Sequence, residues 1–354
     1  MDRRSFLKGS TMAGVAGLIS SNTAASIVTP DKPDFVNADD SKRKFTYNKD
    51  GKFKILQITD THYVAGNPKS SRALDNVIEM LDTEKPDLVI HTGDVVYGKP
   101  AEQSIREILA PISERKIPFA VALGNHDEEF DRTRAQMLDI VMSMPYNINT
   151  RVEGIHGESN AVLTLASPKT GKVDRVFYLF DSNAYSKIKG IKGYDHIRFD
   201  QIAWYRQQSE AFTKMNGGTP VPSFAFFHIP LMEYKGSIAD DRNHVMRGIK
   251  GELVACPNVN SGLFVSMKEM KDIQAIFVGH DHNNDYAMYW NKIFLIYGRF
   301  SGCDTVYNDL KPNGARVIEL TEGEQSFRSW IRIFGGQIDQ DLRYPDDFMP
   351  EKKV

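Results

Sequence analysis

Residues 53–62, FKILQITDTH, decide how this chain is read. Phe53 to Thr59 is a short apolar run that stops at Asp60-Thr61-His62. Leu74, Val77, Ile78 and Leu81 follow at i, i+3, i+4 and i+7, the spacing of one helix face. A second apolar run, Leu88 to Ile90, ends at Gly93-Asp94. Ile105, Ile108, Leu109 and Ile112 repeat the helical spacing, and Phe119 to Leu123 then leads into Gly124-Asn125-His126-Asp127. Strand, helix, strand, helix, strand with short connections predicts a parallel βαβαβ unit. Ligands gather at the carboxyl ends of strands in such sheets. Each of these three ends carries a group able to bind a metal.

The second half repeats the theme less regularly. Arg175 to Phe180 ends in Asp181, Ser223 to Phe227 runs into His228-Ile229-Pro230, and Gln274 to Val278 runs into Gly279-His280-Asp281-His282. Lys292 to Tyr297, Ala315 to Leu320 and Gln325 to Phe334 are β-rich and could complete a second sheet. No internal repeat or Pro/Gly/Ser linker divides the chain, which predicts one α/β domain over residues 51–334. Residues 26–50 read as a polar lead-in and 335–354 as a surface-wrapping tail.

Composition narrows the chemistry. The chain has 354 residues, 44 Lys+Arg against 46 Asp+Glu, 9 His and 2 Cys. A net charge of -2 offers no general attraction to nucleic acid, and two Cys cannot build a Cys-rich zinc module. The strand ends collect Asp60, His62, Asp94, Asn125, His126, His228, His280 and His282, which include five of the 9 histidines. Imidazole and carboxylate together suit Zn, Fe or Mn, and this many donors exceeds what one tetrahedral ion needs. Two metal ions are therefore expected.

Asp60-Thr61-His62, Gly93-Asp94, Gly124-Asn125-His126-Asp127, His228 and Gly279-His280-Asp281-His282 resemble the five ordered motifs of calcineurin-like metallophosphoesterases. His228-Ile229-Pro230 and the run from Gly279 to Asp285 further resemble the branch akin to purple acid phosphatases. The resemblance implies a two-sheet β-sandwich flanked by helices. It implies one metal held by Asp60, His62, Asp94 and His282, and a second held by Asp94, Asn125, His228 and His280, with Asp94 bridging. His126 would not be a ligand but would stand beside the phosphate, with Asp127 orienting it. The implied reaction is hydrolysis of a small phosphate ester, a monoester first, through a metal-bound hydroxide. A phosphodiesterase or nucleotidase of the same fold is the alternative, or a non-catalytic metal-binding module. The presence of both Asp94 and His126 favours the enzyme.

One departure is informative. Gly93-Asp94-Val95-Val96-Tyr97 also fits the purple acid phosphatase motif in which the Tyr binds ferric iron and gives the colour. That family normally has Gly where this chain has His62. His62 is read as the ligand and Tyr97 as a neighbour or packing residue, so the protein is expected to be colourless. The chain also lacks the Arg that follows the bridging Asp motif in calcineurin-type phosphatases, which argues against a protein phosphatase.

The remaining expectations concern the chain's surroundings and its loops. Arg3-Arg4 with Phe6, Leu7 and Lys8, a Gly/Ala-rich apolar stretch, and Thr23-Ala24-Ala25 read as a twin-arginine signal peptide over residues 1–25. The twin-arginine machinery would be a partner of the precursor, and the mature chain would be periplasmic or secreted, without a stable membrane anchor. Removing the segment leaves 41 basic against 45 acidic residues, a net charge of -4. Asp195, His196, Glu252 and Asn260 are candidate substrate contacts on polar loops, and Asp281 a candidate support for the ligands. His91 reads as structural, while His156 and His244 receive no role. Cys256 and Cys303 are an even pair and candidates for a disulfide in an oxidising compartment.

Overall fold

A computed structural model describes residues 43–240 and 245–349. The export segment, residues 26–42 of the lead-in and His244 lie outside the described residues. The first half runs β1 (Lys44–Thr46), β2 (Lys52–Ile58), α1 (Ser71–Glu84), β3 (Leu88–His91), α2 (Ala101–Glu114), β4 (Phe119–Val121), α3 (Arg134–Met142), β5 (Ala161–Ala166) and β6 (Val173–Leu179). It continues with α4 (Phe199–Met215), β7 (Ser223–Phe226), α5 (Met232–Ala239), β8 (Val245–Arg247), α6 (Leu263–Met270) and β9 (Ile273–Val278). The chain finishes through β10 (Ala287–Trp290), β11 (Ile293–Tyr297), β12 (Gly314–Thr321), β13 (Phe327–Ile333) and β14 (Ile338–Tyr344).

Two sheets result, ordered β1-β5-β6-β7-β9-β11-β10-β8 and β14-β13-β12-β2-β3-β4. Alternation along β2 shows why they face each other. Phe53 and Ile55 join the core shared with Phe177, Phe224, Phe226 and Phe277 of the other sheet. Leu56 and Ile58 turn the other way, onto Val77, Leu81, Ile105 and Ile108 of α1 and α2. β3 repeats the pattern, Leu88 and Ile90 against Val89. Full burial of such side chains stabilises the fold by roughly 1.5–3 kcal/mol each.

Parallel registry then positions the site. Ile58 lies opposite His91 and His91 opposite Val121, so the loops after β2, β3 and β4 leave at one edge. β6, β7 and β9 are also parallel, with Phe226 opposite Leu179 and Phe277, which brings the loops after them to their own common edge. A hydrogen bond ties the two edges: Gln57 Nε2 of β2 donates to Val278 O at the end of β9.

The domain is wider than residues 51–334. β1, in the lead-in, pairs with β5, and β14, in the tail, pairs with β13. Tyr344 and Phe348 of the tail are buried and stack in the inter-sheet core with ring centroids 4.9 Å apart. Both strands lie at sheet edges with mostly polar, exposed side chains, so periodicity does not reveal them. The disulfide is also corrected: Cys256 and Cys303 are both free. Cys303 packs in the core under α1 and donates to the Lys69 carbonyl, whereas Cys256 lies in a half-buried loop near Lys235 and Asp281. None of the described helices is long and apolar enough to cross a membrane.

Candidate metal centre

The loops after β2, β3, β4, β7 and β9 build the site, and those after β2, β3 and β9 are held in an unusual backbone conformation. Asp60, His62, Asp94 and His280 all have positive φ, at 55°, 43°, 52° and 78°. Such non-glycine conformations cost on the order of 1–3 kcal/mol each and persist only where surrounding structure imposes them. Here the first two loops hold each other, with Asp60 N donating to Gly93 O and His62 N to Asp94 O. Gly93 has φ +90°, and a Cβ there would come within 2.7 Å of the His228 ring and of Gly124 N. A side chain on Gly124 would collide with Asp94, and one on Gly279 with Thr59 and Asp60. The glycines of the motifs are therefore required by close approach around the carboxylates.

Two ligand groups face each other in this cradle. Asp60, His62 and His282 form one, and Asp94, His228 and His280 the other; within each, the potential ligand atoms lie within 4.8 Å of one another. His62 Nε2 and His282 Nε2 are 3.0 Å apart, and His280 Nδ1 and His228 Nε2 3.1 Å apart. Two ligands on one ion at bond lengths of about 2.1 Å stand about 3 Å apart. Asp94 Oδ2 lies 3.0 Å from His228 Nε2 and 3.7 Å from His62 Nε2, between the two groups. Asn125 offers a further oxygen: its Nδ2 donates to the Tyr185 hydroxyl, while its buried Oδ1 has no hydrogen-bond partner. His62 Nδ1 and His280 Nε2 are also buried without partners. Buried acceptors and lone pairs left unsatisfied are costly in a protein and are what a cation would satisfy. Supporting bonds orient the rings, with His228 Nδ1 against Thr92 O at 2.8 Å and His282 Nδ1 against Tyr307 O at 2.8 Å. The donor set therefore fits two cations.

Protonation agrees with that use. Burial and the neighbouring histidines keep His62 and His280 well below the usual imidazole range, and burial brings His282 down to about 4. Burial pushes Asp60 up to about 7. Burial alone would raise Asp94 and lower His228, but their ion pair prevails: Asp94 stays well below the usual carboxylate range and His228 rises to about 9. His228 thus contributes stability that is full below its ordinary value of 6.5 and is lost as pH rises through about 9. Asp60 likewise favours the fold most below 3.8 and loses that contribution as pH rises through about 7. Cations need both groups deprotonated, so they compete with these protons. Adding Zn²⁺ or Mn²⁺ to the stripped protein should raise Tm more at pH 8.5 than at pH 5.5. Equal shifts at both, read by scanning calorimetry, would place the ions elsewhere.

The neighbourhood of His126 differs from expectation. His126 Nε2 points to Asp94 Oδ2 at 4.0 Å, and its Nδ1 meets Glu129 Oε2 at 2.6 Å. Asp127 does not orient it. Its carboxylate accepts from the backbone N–H groups of Val95, Val96 and Gly124 and braces the two loops. The reason is local: residues 126–128 form a 3₁₀ turn, in which i and i+3 eclipse. His126 and Glu129 therefore meet, while Asp127 points inward. Glu129 was legible as an i+3 carboxylate in a tight turn, a signal the motif reading passed over. Arg134 was also missed; buried and paired with Asp181, it donates to the carbonyls of Leu123 and Gly124 and anchors the same loop.

The other expected residues divide. Tyr97 packs its ring against His62 and His126, with centroids 5.3 and 4.9 Å apart. Asp281 accepts from the Tyr297 hydroxyl behind the ligand loop. Glu252 accepts from Tyr307, whose ring stacks on His282. Asp195 instead pairs with Arg198 and His196, and Asn260 caps the turn before α6. Asp195, His196 and Asn260 line a small crevice with Leu231 and Phe264, and none of the candidate ligands lines it. His91 is buried against Thr61 and Gly93 N, a structural role.

Residues 53–284 match the family model described as calcineurin-like phosphoesterase. The chain belongs to that family. It is 31% identical to a protein named probable inactive purple acid phosphatase 29 of Arabidopsis thaliana, over 82% of each chain. It is 30% identical to Phosphatase DCR2 of Saccharomyces cerevisiae, over 81% of this chain and 54% of that one. Among solved structures, a dimetal phosphatase from Danio rerio shares its fold, with TM-score 0.57 and 11% identity over 82% of this chain and 98% of that chain. A purple acid phosphatase from yellow lupin seeds does so with TM-score 0.51 and 14% identity over 86% and 57%. The chain thus carries two candidate metal-binding groups in a metallophosphatase fold.

Proposed function

We propose that this chain is an active phosphoesterase that hydrolyses phosphate esters, monoesters before diesters, outside the cytoplasm. One observation carries the catalytic reading. The imidazole of His126, held by Glu129, directs Nε2 toward the bridging position of Asp94 between two complete ligand groups. Asp60, His62, Asp94 and His282 would hold one ion, and Asp94, Asn125, His228 and His280 the other. Such a pair supplies Lewis acidity to the phosphoryl oxygens and activates water. The protein's own part is proton placement. Glu129 accepts Nδ1–H, which fixes the ring so that Nε2 can deliver a proton to the departing alcohol oxygen as the P–O bond breaks and water adds. Phe300 lies against His282 and His62, with centroids 4.6 and 6.2 Å away, and keeps bulk water from one side of the ligands. Export rests on Arg3-Arg4 and the apolar stretch after them.

The second reading is a metal-binding protein without turnover, which the relatives named probable inactive purple acid phosphatases favour. One experiment separates the two: metal analysis of purified protein combined with hydrolysis of paired aryl phosphate mono- and diesters. Two metals per chain and faster monoester cleavage are expected, in a colourless protein without a tyrosinate-to-iron band. Two metals and no cleavage of either ester would establish the non-catalytic reading.

A further inference from the structure

Beyond the ligands, the mouth of the site is built from tyrosines backed by carboxylates. Tyr185 is 44% exposed and donates its hydroxyl to Glu129 Oε1 at 2.6 Å. Its ring stacks on Tyr194 at 5.7 Å, and Tyr194 meets the His280 ring at 4.3 Å. Tyr307 is 56% exposed, stacks on His282 at 4.5 Å and donates to Glu252 Oε2 at 2.9 Å. Both hydroxyl partners are carboxylates that belong to neither ligand group, Glu129 for Tyr185 and Glu252 for Tyr307. A phenol donating to a carboxylate has an electron-rich ring, and the negative ring face attracts a cation. A second phosphate or a carboxylate on the substrate would instead meet like charge, at a cost.

We infer that the rim of Tyr185, Tyr194 and Tyr307 selects phosphate esters whose alcohol carries a positive charge, a quaternary ammonium above all. The inference rests on the phosphoesterase reading for where the phosphate sits. With the phosphate at the ligand groups and the departing oxygen at His126, the alcohol extends past Glu129 and Tyr185. A short ammonium-bearing alcohol then lies against the carboxylate-backed rings, while its phosphate faces the ions. Charge at the two ends of the substrate is matched by opposite charge at the two ends of the site.

Two non-hydrolysable phosphonates of equal shape test this on metal-loaded protein by titration calorimetry. The cationic probe is 3-(trimethylammonio)propylphosphonate and the neutral one is 4,4-dimethylpentylphosphonate. The cationic probe should bind about fivefold tighter, the range expected for a partly desolvated cation on an aromatic face. Tyr194→Leu and Tyr307→Leu should each bring the two affinities within twofold, while Tyr307→Phe, which keeps a ring face but loses the bond to Glu252, should weaken the preference less than the Leu variant does. Equal binding of the two probes by the unaltered protein, or a preference unmoved in both Leu variants, would overturn the inference. Because binding needs no turnover, a protein that prefers the cationic probe yet cleaves no ester would sink the catalytic reading and leave the rim's selectivity standing.

Discussion

Asp94→Asn should abolish the paired metal centre and, with it, the proposed hydrolysis. Asp94 Oδ2 lies between the two ligand groups, and Oδ1 accepts from His126 N at 2.8 Å, so one carboxylate serves both cations and the loop that carries His126. An amide keeps the shape but presents a neutral oxygen and an N–H₂ where a shared anion is needed. Metal content should fall from two per chain to one or fewer. Loss of several kcal/mol of electrostatic stabilisation lowers kcat/KM by about a thousandfold. The change also strips buried His228 of its counter-charge, so circular dichroism and Tm are measured alongside to show that the domain remains folded. Two tightly held metals in the folded variant would remove Asp94 from the centre.

His126→Ala gives the opposite combination. The His126 imidazole comes no nearer Asp94 than 4.0 Å, its backbone N–H bond to Asp94 survives in Ala, and it belongs to neither ligand group, so metal content and KM should stay close to the unaltered protein. Removing a general acid typically costs 10²–10⁴-fold, and kcat should fall by about that much. The deficit should be largest for esters of weakly acidic alcohols, whose leaving oxygen most needs a proton. Glu129→Gln keeps the ring but weakens its hold on Nδ1, and a smaller fall of about 10–100-fold is expected with the same dependence on the leaving group. A uniform loss across alcohols in either variant would assign His126 to charge stabilisation instead.

These two residues also show how far the sequence carried. Asp94 and His126 are legible because metal and proton chemistry admit few residue types, and a parallel sheet delivers them at strand ends. The same logic names Asp60, His62, Asn125, His228, His280 and His282; the structure gathers Asp60, His62 and His282 into one group and Asp94, His228 and His280 into another. The βαβαβ core was legible too, through Ile55, Leu88, Ile90 and their alternation. β1, β14 and β8 were not, since edge strands bury little and show no period.

What the sequence by itself determined, then, is the candidate ligand set and the fold that carries it, because both are written in local patterns of residue type. The tertiary structure decided which side chains meet. It gave His126 to Glu129 and left Asp127 to brace the loops, through the pitch of a single 3₁₀ turn. It kept Cys256 from Cys303 by placing one in a loop and the other in the core. It drew Tyr185, Tyr194 and Tyr307 from distant loops to one rim, because the path of the backbone between strands, and not residue type, sets which surfaces converge.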